Sequence, residues 1–243
     1  MPPHTTIDWL DALTDGFRDE CALVGASVAG GDIARSDTIV LGVTALGDLA
    51  GIAPITRSGA RPGDQVAIAG RLGYAAAGLA LLSAGTATTR AGAGGARGET
   101  KGWVGGSFPV DSFEELLLAH RRPEPPYAQG PRAAALGATA MVDVSDGLVQ
   151  DLGHIAAASG VGVVVEPAAF RVPAILVEAA RYLGVDPLDW ILTGGEDHAL
   201  AAVFPPEVRL PPPWQVVGEI VQGQGVQVKG RAEAPGGWDH FRG

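Results

Sequence analysis

A single cysteine, Cys21, occurs in 243 residues, which excludes an intramolecular disulfide and a cysteine-based zinc site and suits a reducing compartment. Basic residues are scarce: 17 Lys and Arg stand against 27 Asp and Glu, for a formal charge of −10. They are also scattered, apart from Arg121–Arg122, so the clustered cations that a phosphate backbone demands are missing and a nucleic-acid partner is not expected. No apolar run reaches the roughly 18 residues of a membrane span, and the N-terminus, MPPHTTIDW, has no basic segment leading into an apolar one. A cytoplasmic protein without a membrane partner is the expectation. The chain contains no G-x-x-x-x-G-K-[ST], no G-x-G-x-x-G and no G-x-S-x-G. Its five histidines do not cluster at metal-ligand spacing, which argues against zinc. No internal repeat is visible.

What is present is a packed chain, 47% hydrophobic and 18% charged, long enough for one large domain or two smaller ones. Its organising stretch is Thr139 to Gly160, TAMVDVSDGLVQDLGHIAAASG. Ala140 to Val144 reads as a buried strand, and Leu148, Leu152, Ile155 and Ala156 form the apolar face of a helix ended by Gly160. Asp143, Ser145 and Asp146 thus meet where a strand stops and a helix begins, beside unpaired backbone N–H groups and the positive end of the helix dipole, a place suited to metal-bound phosphate. The plain alternative is that Ser145 or Asp146 caps the helix. Capping needs only one of the three polar residues, and a buried, unpaired Asp143 would be costly unless it met a cation or donors.

Elsewhere the pattern alternates. Helices are expected over Ile7–Leu23, Tyr74–Ala84, Asp111–His120 (with a capping box from Ser112 to Glu115), Tyr127–Leu136 and Ala174–Leu183. Strands are expected over Ala26–Ala29, Thr38–Leu46 (continuously apolar, hence buried), Gln65–Ala69, Val161–Glu166 and His198–Phe204. Gln215–Val221 and Val226–Lys229 read as a hairpin across Gln222–Gly225, and Leu188–Leu192 as a short turn. The glycine-rich Gly85–Gly106 reads as a mobile surface loop. The class is α/β, or α+β with a mixed sheet. Arg57–Asp64, rich in Gly and Pro, marks a boundary between residues 1–58 and 61–243.

Three loops share one design, small residues followed by a carboxylate: Gly30-Gly31-Asp32, Asp143 to Gly147, and Gly194-Gly195-Glu196-Asp197. Hard oxygen ligands of this kind suit Mg²⁺, which keeps waters and takes one or two carboxylates per ion. GGDIARS (Gly30–Ser36), VTALGD (Val43–Asp48), TRSGARPGD (Thr56–Asp64), VDVSDGLVQDLGHI (Val142–Ile155), LTGGEDHAL (Leu192–Leu200) and GWDHF (Gly237–Phe241) follow one another in that order. This set resembles thiamine-monophosphate kinase, in the superfamily of aminoimidazole ribonucleotide synthetase and selenophosphate synthetase.

The resemblance implies a partial N-terminal domain followed by a complete C-terminal domain of the aminoimidazole ribonucleotide synthetase type. It implies ATP- and Mg²⁺-dependent phosphorylation of thiamine monophosphate to the diphosphate by direct transfer, without a covalent nucleophile. By motif, Asp32, Asp143 and Asp146 would bind Mg²⁺, Arg57 and Ser145 would touch ATP, and Glu196 and Trp238 would line the thiamine site. Phosphoryl transfer asks for positioning and neutralised charge, which fits such a set. In the family an N-terminal portion with a D-D-A-type motif, further metal ligands and dimer-forming strands precedes the G-G-D loop, and this chain starts near the helix just before that loop. Weak Mg²⁺-dependent ATP binding with little turnover is therefore expected of these residues alone, and a family-like homodimer would need the missing strands. The alternatives are a non-catalytic nucleotide-binding or scaffold paralogue and a superfamily enzyme with another phosphate acceptor.

Overall fold

The computed structural model describes residues 1–91 and 110–231. The chain divides into two compact units, Met1–Ala53 and Pro54–Gly243.

The first unit holds one regular element, helix α1 (Ile7–Leu23), opened by Thr6, whose side chain accepts the Trp9 N–H at 3.2 Å. The strands expected over Ala26–Ala29 and Thr38–Leu46 do not form. A strand exists only through ladder partners on its edges, and residues 24–53 contribute none to one another; Val40 and Leu46 are exposed instead of buried.

The second unit is a mixed α/β structure. Strands β1 (Gln65–Ala69), β2 (Ala140–Val144), β3 (Gly162–Val165), β4 (Ala199–Phe204), β5 (Gln215–Val221) and β6 (Gly225–Val228) form one sheet in the order β2-β4-β1-β5-β3-β6. All neighbours are antiparallel except β3 and β6. The expected β5–β6 hairpin is therefore wrong. Both edges of β5 are taken, by β1 and β3, so β6 adds to the free edge of β3. The connection crosses the start of β3 at Gly162, where a Cβ would lie 3.0 Å from Val221 Cγ2.

The period-2 alternation of the strands sorts their side chains into two layers. Val66, Ile68, Val142, Val144, Ala201 and Val203 turn toward the main core. Helices α2 (Tyr74–Ala91), α3 (Glu114–Arg121), α5 (Leu148–Ser159), α6 (Ala174–Leu183) and α7 (Pro187–Thr193) border that core. On the opposite face Ala67, Ala69, Ala202 and Phe204 pack against Ala133 of α4 (Gln129–Ala135) and against Trp214. Helices α5 and α6 each end on a left-handed glycine, Gly160 and Gly184, as their sequences suggest.

Some boundaries differ from expectation. Residues Val110–Phe113 wind as a 3₁₀ turn, α3 starts at Glu114 without a side-chain cap, and the Ser112–Glu115 capping box is absent. The expected turn at Leu188–Leu192 is helical: Pro187 starts α7 and Asp186 accepts the Leu188 N–H at 2.9 Å. Helix α2 runs on to Ala91, into the stretch read as loop; residues 92–109 lie outside the described residues. No helix among the described residues is long and apolar enough to cross a membrane.

Candidate functional site

Strand β2 stops at Val144 and α5 starts at Leu148, so Ser145-Asp146-Gly147 must turn sharply between sheet and helix. Gly147 permits it: its φ is 124°, and a Cβ there would lie 2.7 Å from the Thr193 carbonyl oxygen. The turn is held from inside the helix. Asp151, only 3% exposed, accepts the N–H groups of Ser145, Asp146 and Gly147 on one carboxylate oxygen, each at 3.1 Å. Neither Ser145 nor Asp146 caps α5; the N-cap residue is Gly147. These three N–H groups thus point at a protein carboxylate and not outward to a ligand, contrary to the sequence reading. Burial raises the Asp151 pKa, its backbone bonds oppose the rise, and the charges of Asp146 and Asp143 add to it. An acid three residues after Leu148, on the apolar stripe of α5, was the signal in the sequence for this buried group.

Asp143 is exposed, not buried, because β2 alternates: Val142 and Val144 face the core while Asp143 leaves by the other face with Met141. An open groove of about 600 Å³ follows this edge strand, lined by Thr56, Arg57, Ser58, Met141, Asp143 and Leu200. Thr56 fixes one wall, its carbonyl accepting the Met141 N–H at 3.0 Å. Asp146, Asp151 and His154 each offer a ligand atom within 4.8 Å of the others, with His154 exposed on α5.

The loop from Gly194 to His198 is joined to this turn through the backbone. Ser145 O accepts the Glu196 N–H at 2.8 Å and Val144 O the His198 N–H at 3.0 Å. A Cβ on Gly195 would lie 2.4 Å from Ser145 O, so a side chain there would force the two loops apart. Glu196 and His198 both hold left-handed backbone, φ 67° and 51°, and their side chains approach to 3.7 Å. Asp197 between them is buried. Its two oxygens accept the Gly73 N–H at 2.5 Å and the Ala75 N–H at 2.8 Å, at the start of α2. Burial pushes its pKa up to about 6, against the pull of these backbone bonds and of the Arg71 charge.

Of the residues singled out in the sequence, Asp143, Ser145, Asp146 and Glu196 therefore gather at one end of the sheet, and Arg57 shares the groove of Asp143. Asp32 stands exposed in the Met1–Ala53 unit, and Trp238 lies outside the described residues. Asp151 and Asp197, which hold the two loops, were not among the candidate site residues.

No protein-family model matches the chain. Thiamine-monophosphate kinase of Mycobacterium tuberculosis is 41% identical over 243 residues, 99% of this chain and 65% of its own length. That of Halobacterium salinarum is 35% identical over 240 residues, 96% of this chain and 72% of its own length. Among solved structures, AaThiL complexed with AMPPCP and TMP superposes with a TM-score of 0.76 at 26% identity, over 99% of this chain and 71% of that one. The chain thus spans 65% of the length of the Mycobacterium tuberculosis relative. With the ordered motifs, the fold and the identity to the Halobacterium protein in agreement, the chain belongs to the thiamine-monophosphate kinase family.

Proposed function

We propose that the protein acts in the cytoplasm as an ATP-dependent kinase of thiamine monophosphate, transferring the γ-phosphoryl group directly to the substrate's phosphate to form thiamine diphosphate. The observation that carries this reading is the likeness, over 99% of the chain, to a structure that holds AMPPCP and TMP. Asp32, Asp143 and Asp146 are the proposed Mg²⁺ ligands. Exposed Asp143 and half-buried Asp146 suit a hard cation that keeps part of its water shell. Mg²⁺, when bound, neutralises the phosphate charge that builds up during transfer.

Arg57, exposed beside Asp143 in the groove, is the proposed phosphate clamp, and Ser145 the second ATP contact. Glu196 and Trp238 receive the thiamine moiety: a carboxylate pairs with the cationic thiazolium and an indole stacks on it. No side chain needs to act as a nucleophile, because holding the two phosphates in line is most of the work.

The test follows thiamine diphosphate formation from thiamine monophosphate, ATP and Mg²⁺. It uses the 243-residue chain and a version extended by any coding sequence lying upstream in frame. The extended version is expected to turn over, and Asp146→Asn in it to lose about a hundredfold or more of kcat with an unchanged melt. Absence of product in both versions, or full activity of a folded Asp146→Asn, overturns the assignment.

A further inference from the structure

Asp197 has no part in the proposed reaction, yet it is the most constrained acid of its loop. At 7% exposure it accepts the Gly73 and Ala75 N–H groups across 124 and 122 residues of sequence. One carboxylate thereby closes the N-terminus of α2, where negative charge is favoured. The residues on either side, Glu196 and His198, are both left-handed, a conformation that side-chain-bearing residues rarely keep without outside restraint. The far side of the loop is bonded to Ser145 O and Val144 O. Glu196 is therefore clamped through its backbone while its side chain stays exposed beside the turn that carries Ser145 and Asp146.

We propose that Asp197 is a positioning residue for the thiamine substrate: by anchoring the loop to the start of α2 it keeps Glu196 in the left-handed conformation that presents its carboxylate at the site. This rests on the reading that Glu196 meets the cationic ring. The need for Asp follows from the contacts. Two oxygens serve two donors, whereas Asn has only one oxygen, and Glu is a methylene too long for a filled slot.

The experiment combines backbone amide hydrogen exchange with separate titrations of thiamine monophosphate and of AMPPCP plus Mg²⁺, on the whole chain. Wild type, Asp197→Asn, Glu196→Gln and the double variant are compared. Asp197→Asn is expected to speed exchange at the Glu196 and His198 amides about tenfold or more and to weaken thiamine monophosphate binding about tenfold. Sheet amides should keep their protection, and AMPPCP affinity should stay within about twofold. The double variant should bind thiamine monophosphate no more weakly than Glu196→Gln, since both changes remove one contact.

Unchanged exchange in Asp197→Asn overturns the proposal, as does an equal loss of both ligands, which marks a merely structural role, or an additive double variant. If Asp197→Asn does not fold, Asp197→Ser, which keeps one helix-capping oxygen, takes its place with the same expectations. Equal binding of thiamine monophosphate by wild type and Glu196→Gln would instead sink the assignment of Glu196. It would overturn the substrate half of the proposal, while the exchange data still decide whether Asp197 holds the loop.

Discussion

Two buried carboxylates, Asp151 and Asp197, each accept backbone N–H groups, and their removal has calculable consequences. Asp151→Ala leaves three N–H groups without their charged acceptor and should cost about 2 kcal/mol in urea unfolding. Asp151→Asn, which retains one oxygen where a single oxygen does the accepting, should lose less than half of that. For Asp197 the sign is set by its raised pKa of about 6 against an unfolded value near 3.9. Between these values the folded chain holds a proton that the unfolded chain has released. Its stabilising contribution is thus present below pH ~4 and lost as pH rises through ~6. The stability of the wild type relative to Asp197→Asn should fall by about 2 kcal/mol from pH 4 to pH 7 and then level off. Urea titrations of both proteins across that range check it; a flat difference would mean that Asp197 is ionised throughout.

At the scale of elements, α2 and α3 approach closely at Gly78. A Cβ on Gly78 would lie 2.1 Å from the Leu116 carbonyl oxygen and 2.9 Å from His120 Cβ, so the helices must separate to admit it. Alanine gains about 1 kcal/mol of helix propensity over glycine, but a backbone clash of this size outweighs it, and Gly78→Ala should lose about 2 kcal/mol net. Gly153, in α5 with nothing within 4 Å of its Cβ position, is the control: Gly153→Ala should gain ~0.5–1 kcal/mol. Both are read from urea midpoints. Such opposite signs cannot be seen in the sequence, where each glycine simply interrupts a helical pattern. The helical spans themselves were legible. Ala174–Leu183 and the β2–α5 junction emerge as their periodicity and terminal glycines suggest, because those signals act within one or two turns of chain.

For the whole molecule, the core is confined to one unit. Among the described residues the two hydrophobic core clusters draw on side chains from Ala60 to Val228, and residues 1–53 contribute none to them. A chain of residues 54–243 alone should therefore keep a single cooperative urea transition. Leu152→Ala, which empties a fully buried position, should cost about 3 kcal/mol in the fragment and in the whole chain alike. A fragment without a cooperative transition would show that residues 1–53 are needed for folding.

The sequence by itself determined the chemical inventory and the family. Acids follow small residues in three loops, a second cysteine and clustered cations are missing, and six motifs stand in order; all of these are read directly from the chain. It also determined all six strands to within a residue at each end, and helices α1, α5 and α6, since apolar periodicity and turn residues are local. Tertiary structure alone decided who pairs with whom. β6 sits beside β3 because β5 had no free edge, and Thr38–Leu46, apolar enough for a strand, is none because no segment of its unit lies alongside it. Tertiary structure also decided that Asp143 is exposed, and that Asp197 caps a helix 122 residues earlier in the chain. The reason is common to all four. A backbone N–H, a strand edge or a carboxylate states locally what it needs, but the partner that meets the need can come from anywhere in the chain, and only packing selects it.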